Sequence, residues 1–246
     1  MWDNPRQVNA VALVVALLAL ALFAWAATAW ALRQPAFALR QIVVAGTLSR
    51  VNPAHLEAVV REELRGTFFT LHLADARESL QRVPWVRGIA LRRQWPNRLE
   101  VSVTEHAPLA RWNDNALVNK EGEVFIADYD GELPQFTGPE GAAAEISARF
   151  AEFGAALERA GLTIGEIRLS ARGGWELKTA ETPALTIALG RSGPGERLDR
   201  FVGYYARTVG ALTRSGTRVE YADLRYRNGF AARIPQFKER TVKKAA

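Results

Sequence analysis

The sequence contains no cysteine. Disulfide scaffolds, thiolate-bound zinc and thiol nucleophiles are thereby excluded. Histidine is scarce: His55, His72 and His106 are the only three, and none has a partner at H-x-x-x-H or H-E-x-x-H spacing. Surface or capping roles suit them better than metal ligation. The glycine-rich stretch at residues 190–195 (GRSGPG) lacks the Gly-Lys-Ser/Thr ending of a phosphate loop and reads as a strand-to-helix connection. No Gly-x-Ser-x-Gly elbow is present, and Glu62-Glu63 reads as ordinary helix surface. These absences predict neither an enzyme nor a cofactor.

Charge is missing over residues 7–32, QVNAVALVVALLALALFAWAATAWAL, bounded by Arg6 and Arg33. A helix needs about 20 apolar residues to cross a bilayer core, so this run is long enough. A cleaved signal peptide has a shorter apolar core, and a buried core helix rarely lacks a polar stripe over such a length. Trp25 and Trp30 suit an interfacial aromatic belt. The segment therefore predicts one membrane anchor at residues 9–32, after a short stub at residues 1–8. Orientation stays open: Arg6 precedes the run, while Arg33 and Arg40 follow it.

What remains is enough chain for one large or two small domains. With 48% hydrophobic and 24% charged residues it should fold. The net charge is +6 and the pI is near 10.0. The basic residues are spread along the chain without an aromatic-plus-basic RNA-binding sequence, so anionic lipid or acidic protein partners are expected rather than nucleic acid.

Residues 37–45 read as a strand near the membrane. Asn52-Pro53 opens a helix carrying Leu56, Val59, Val60 and Leu64, and Gly66 stops it. A second helix at residues 75–82 precedes Pro84-Trp85. Strands at 86–93 and 99–105 follow, joined by a Trp95-Pro96-Asn97 turn. The order is β-α-α-β-β, a small α+β unit. Beyond Ala107-Pro108 short strands alternate with Asn/Asp/Gly turns. Helices are expected at 143–160 and 194–212, and strands at 164–169, 175–179, 185–189, 218–226 and 230–234. Asn228-Gly229 is the strongest hairpin signal in the chain. Residues 236–246 read as a disordered basic tail.

Val83-Pro84-Trp85-Val86, followed by Leu91-Arg92-Arg93-Gln94-Trp95-Pro96-Asn97-Arg98-Leu99, resembles a POTRA domain over residues 37–106. Pro84, Trp85 and Trp95 are expected to serve that domain's core and turn. With the anchor, a second β domain at 107–235 and the run 221–231 (YADLRYRNGFA), the whole chain resembles the FtsQ/DivIB family of bacterial cell-division proteins. The resemblance implies a non-enzymatic divisome scaffold, essential for division. It links early and late division proteins at the septum and helps control septal peptidoglycan synthesis. It implies a single-pass inner-membrane protein with a cytoplasmic N-terminus and a periplasmic body. FtsB and FtsL-like proteins are the implied partners, bound by strand addition at an exposed C-terminal edge strand. Other divisome proteins are expected to bind through the POTRA domain. Carried over by position, Arg225, Tyr226, Asn228, Gly229, Phe230 and Ile234 are the implied partner-binding residues, with Arg172 as a second charge-pairing arginine. Ile234 stands where some members carry Trp, and Gly173 where the second arginine is expected. From the residues alone, hairpin packing is the alternative reading for Tyr226 and Phe230, since aromatics are also good strand residues. An alternative reading is a POTRA-type transport or assembly factor. Such proteins end in a long β-barrel, for which this sequence leaves no room.

Overall fold

A computed structural model describes residues 5–46, 48–51, 54, 56, 58–60 and 67–235, and the chain divides at His106/Ala107 into two units. Asn52-Pro53, His55, Leu64, Gly66, Glu62-Glu63 and the tail at 236–246 lie outside the described residues.

In the first unit the uncharged run forms helix α1, Pro5–Leu32. Its stretch Val8–Leu32 is long and apolar enough to cross a membrane, and its most apolar window has no buried residue. At 1.5 Å per residue those 25 residues span about 37 Å. The Thr28 hydroxyl donates back to the Ala24 and Trp25 carbonyls, at 2.9 and 2.8 Å, so this polar group is satisfied within the helix.

The strand expected from residue 37 starts later. Pro35–Phe37 forms a 3-10 turn, Ala38 makes a single bridge to Thr67, and strand β1 is Gln41–Ala45. Pro35 at the turn's first position fixes the tight conformation that delays the strand. Residues 54, 56 and 58–60 are helical, and α2 is Leu73–Gln81. Strands β2, Val86–Gln94, and β3, Arg98–Glu105, complete a sheet of order β1-β3-β2. β1 is parallel to β3, and β2 is antiparallel to it. β3 turns Leu99, Val101 and Val103 inward every second residue. On β2 the buried residues are Val86 and Ile89, three apart, because a register shift lies between Val86 and Gly88. Leu56, Val60 and Leu80 close this core without exposure.

The Glu105 carboxylate holds the segment that follows β1. It accepts bonds from the backbone N–H groups of Ser49, Arg50 and Val51, at 2.8–3.3 Å, and from the Ser49 hydroxyl. Burial opposes its charge, but these hydrogen bonds outweigh burial and hold its pKa below the ordinary carboxylate value.

The second unit is built on a nine-stranded mixed sheet. Its strands are β4 (Pro108–Trp112), β5 (Ala116–Asn119), β6 (Val124–Phe125), β7 (Gln135–Thr137), β8 (Ile164–Leu169), β9 (Trp175–Thr179), β10 (Thr186–Gly190), β11 (Tyr221–Asp223) and β12 (Ala231–Arg233). The order is β12-β11-β10-β9-β8-β7-β4-β5-β6. Two of its parallel pairs, β7 with β8 and β10 with β11, each need a crossover, and helices supply both. α3, Ala143–Glu158, links β7 to β8. The second crossover was expected as one helix over 194–212. It is two, α4 (Pro194–Tyr205) and α5 (Val209–Arg214), separated at Thr208. The break folds Gly210 against Tyr205, where a Cβ would meet the Tyr205 carbonyl oxygen at 3.0 Å, so the close approach relies on glycine. The core lies between sheet and helices. Phe136, Ile146, Phe153, Leu157, Ile167, Leu177, Ile187, Leu189, Leu198 and Phe201 are buried.

Candidate partner-binding edge

β12 ends the sheet. It pairs antiparallel with β11 in the register Tyr221↔Arg233, Ala222↔Ala232 and Asp223↔Ala231. Among the described residues no strand pairs with its other side. Ala231, Ala232 and Arg233 are all exposed. The short side chains leave the backbone of this edge open to a further strand. Arg233 reaches over the Tyr221 ring, its guanidinium carbon 5.5 Å from the centroid.

The strands are shorter than their sequence periodicity predicts, and Asn228-Gly229 does not make a two-residue turn. Residues 224–230 form the connection. Asp223 ends β11 by accepting the Arg225 backbone N–H at 3.1 Å. Leu224 is then buried, and its N–H donates to the Ala188 carbonyl at 2.8 Å. At the far end Phe230 packs edge-on against Phe201 of α4, with centroids 5.1 Å apart. Arg200 of the same helix donates to the Arg227 carbonyl at 2.6 Å. Leu224 thus ties one flank to β10, while Phe230 and Arg227 are held by α4, and the connection is wider than a tight turn.

This places the seven expected residues. Tyr226 is 58% exposed. Asn228 and Gly229 are exposed at the connection's tip. Phe230 and Ile234 are half-buried, both packed against the core. Arg225 is exposed but holds Asp223 through two bonds, Nε to Oδ1 at 2.8 Å and Nη2 to Oδ2 at 2.6 Å. The guanidinium outweighs burial and keeps the Asp223 carboxyl below its ordinary pKa. Arg172 sits in the turn between β8 and β9.

Arg172 and Arg225, distant in sequence, line one open cleft of about 310 Å³. Sequence reasoning missed two more arginines there, Arg191 and Arg197. Arg191 comes from the 190–195 stretch read only as a connecting loop, and Arg197 from the start of the helix expected at 194–212. Arg197 donates to the Leu189 carbonyl at 2.6 Å. Gly190 has φ +76, and a Cβ there would meet Arg197 Nη1 at 2.8 Å and Arg225 Cγ at 3.0 Å, so glycine lets the two arginines converge. Four arginines thus line the cleft, and guanidinium groups pair with carboxylates and phosphates. Among the described residues no cluster of His, Cys, Asp or Glu can hold a metal ion.

Among the described residues, one helix long and apolar enough to cross a membrane, a three-stranded α+β unit and a nine-stranded unit with an edge strand at β12 fit the architecture of a single-pass membrane protein. The FtsQ-type POTRA domain model matches residues 37–106, and the model for the C-terminal part of cell-division protein FtsQ/DivIB matches residues 110–225. The chain is 40% identical over 237 residues to the cell-division protein FtsQ of Burkholderia pseudomallei, covering 95% of this chain and 94% of that protein. It is 35% identical to FtsQ of Nitrosospira multiformis, covering 95% and 99%. It is 34% identical to FtsQ of Escherichia coli, covering 68% and 61%. The chain belongs to the FtsQ/DivIB family of cell-division proteins. Arg172 and Arg225 fall within the matched C-terminal segment, while Tyr226, Asn228, Gly229, Phe230 and Ile234 lie just beyond it.

Proposed function

We propose that this cell-division protein is a non-enzymatic divisome scaffold that binds an FtsB/FtsL-type complex by strand addition to β12. In this reading α1 crosses the inner membrane once, the residues before it are cytoplasmic, and the folded units lie in the periplasm at the septum. The FtsQ-type POTRA unit contacts other division proteins, and the assembly helps control septal peptidoglycan synthesis. The carrying observation is the outer side of β12, which no strand among the described residues pairs, with exposed Ala231 and Ala232 and the four-arginine cleft. Backbone bonds to an added strand supply affinity, while Tyr226 and the arginines supply specificity.

The test is calorimetric titration of the full chain, in a detergent micelle, with the extracytoplasmic segment of an FtsB-like coiled coil. Tyr226→Ala is expected to weaken binding about tenfold, the effect of losing an exposed aromatic anchor of about 1.4 kcal/mol. Arg225→Glu is expected to weaken it more, because it reverses a charge in the cleft and places a second carboxylate beside Asp223. Unchanged affinity in both variants rules out this edge as the binding site.

A further inference from the structure

The first unit gathers aromatic and basic side chains at the end where α1 leaves it. The Thr67 hydroxyl donates to the Leu32 carbonyl, in the last turn of α1, at 2.7 Å. Phe68 N–H donates to the Phe37 carbonyl at 2.7 Å, and the Phe37 and Phe69 rings meet edge-on at 5.1 Å. Arg40 and Gln41 N–H groups both reach the Asn97 carbonyl, at 3.0 and 3.4 Å. Because β1 runs parallel to β3 with Gln41 level with Arg98, the β2–β3 turn lies at this same end. Trp95, in that turn, is 77% exposed, and Phe69 is 43% exposed. Arg33 and Arg40 are exposed; Arg33 lines a cleft with Phe69, and Arg40 is bonded through its N–H to Asn97 of the β2–β3 turn. The segment 33–40 spans at most about 28 Å fully extended, and its 3-10 turn shortens it.

We infer that this end of the POTRA unit rests in the headgroup layer of the bilayer that α1 crosses, with Trp95 and Phe69 inserted at the interface and Arg33 and Arg40 on lipid phosphates. The occupant follows from continuity: the rim is bonded directly to the last turn of the spanning helix. Tryptophan favours the membrane–water boundary, and arginine binds phosphate there. Trp30 of α1, itself exposed, extends the same belt across the junction.

The inference rests on α1 spanning the bilayer, and the absence of cysteine permits a test that separates the two. Nitroxides are placed one at a time by Leu20→Cys in α1, Gln94→Cys beside Trp95 and Thr104→Cys near the far end of β3, in the full chain in phosphatidylcholine–phosphatidylglycerol nanodiscs. Spin-label saturation by membrane-soluble oxygen is compared with saturation by a water-soluble nickel chelate. The expected oxygen-to-nickel ratio is high at 20, intermediate at 94 and low at 104. The combination Phe69→Glu with Trp95→Glu should lower the value at 94 to that at 104. Equal ratios at 94 and 104 with a high ratio at 20 overturn the interfacial rim alone. A low ratio at 20 overturns the spanning reading with it.

Discussion

At the scale of single residues, two positions couple local chemistry to the fold. Glu105 closes the 49–51 segment with its ionised carboxylate, and hydrogen bonding depresses its folded pKa below 4.5. A group depressed in the folded state contributes stability above its unfolded pKa and loses that contribution as pH falls through the folded value. The first unit should therefore lose this support below about pH 4.5. Glu105→Gln should destabilise the chain by about 1 kcal/mol at pH 7 and flatten the acid limb, as read by chemical denaturation at pH 7 and pH 3. Gly190 is the second position. Its positive φ and the arginine atoms that an added Cβ would meet make Gly190→Ala costly, by about 1–2 kcal/mol. The same substitution should push Arg197 and Arg225 apart, weakening partner binding beyond any stability loss. Titrating well below the melting temperature measures the binding effect by itself.

At the scale of elements, β8, β9 and β10 were placed almost to the residue: β9 buries Trp175, Leu177 and Thr179 in strict alternation, whereas β10 reads as a short apolar run because Ile187, Ala188 and Leu189 are all buried. The same logic overextended β11 and β12. Tyr226 and Phe230 have strand-like character, yet Asp223 terminates one strand by a side-chain bond and Phe230 spends its apolar surface on α4. Asn228-Gly229 carried a hairpin signal that tertiary anchoring overrode. The arginine cleft was half legible. Arg172 and Arg225 were chosen by resemblance, but Arg191 and Arg197 join them only because β10 lies between β9 and β11, a neighbourhood set by sheet order. Local pattern carries no record of such order. Arg191→Ala should therefore behave like Arg172→Ala. Each is expected to weaken binding of an acidic partner several-fold in low salt, with little difference left in high salt, as exposed charges are screened. Association rates measured against ionic strength check this.

At the scale of the whole molecule, the uncharged span was the plainest sequence feature, since length and apolarity alone specify it. The division after residue 106 coincides with the change from β-α-α-β-β order to short strands and turns. The parallel pairing of β4 with β7, separated by some twenty residues and two other strands, had no local signal. If α1 is the sole anchor, Leu20→Arg should cost roughly 2.5–3.5 kcal/mol of insertion free energy and release part of the protein from membranes under alkaline wash. The antiparallel join of β12 to β11 also has a mechanical meaning. Hydrogen bonds between antiparallel strands stand perpendicular to the chains. A partner strand seated on β12 and pulled along its length would load its bonds together, in shear, whereas a pull away from the sheet would peel them one at a time. The direction of tension across the membrane would then set how long the joint lasts, independently of its affinity at rest.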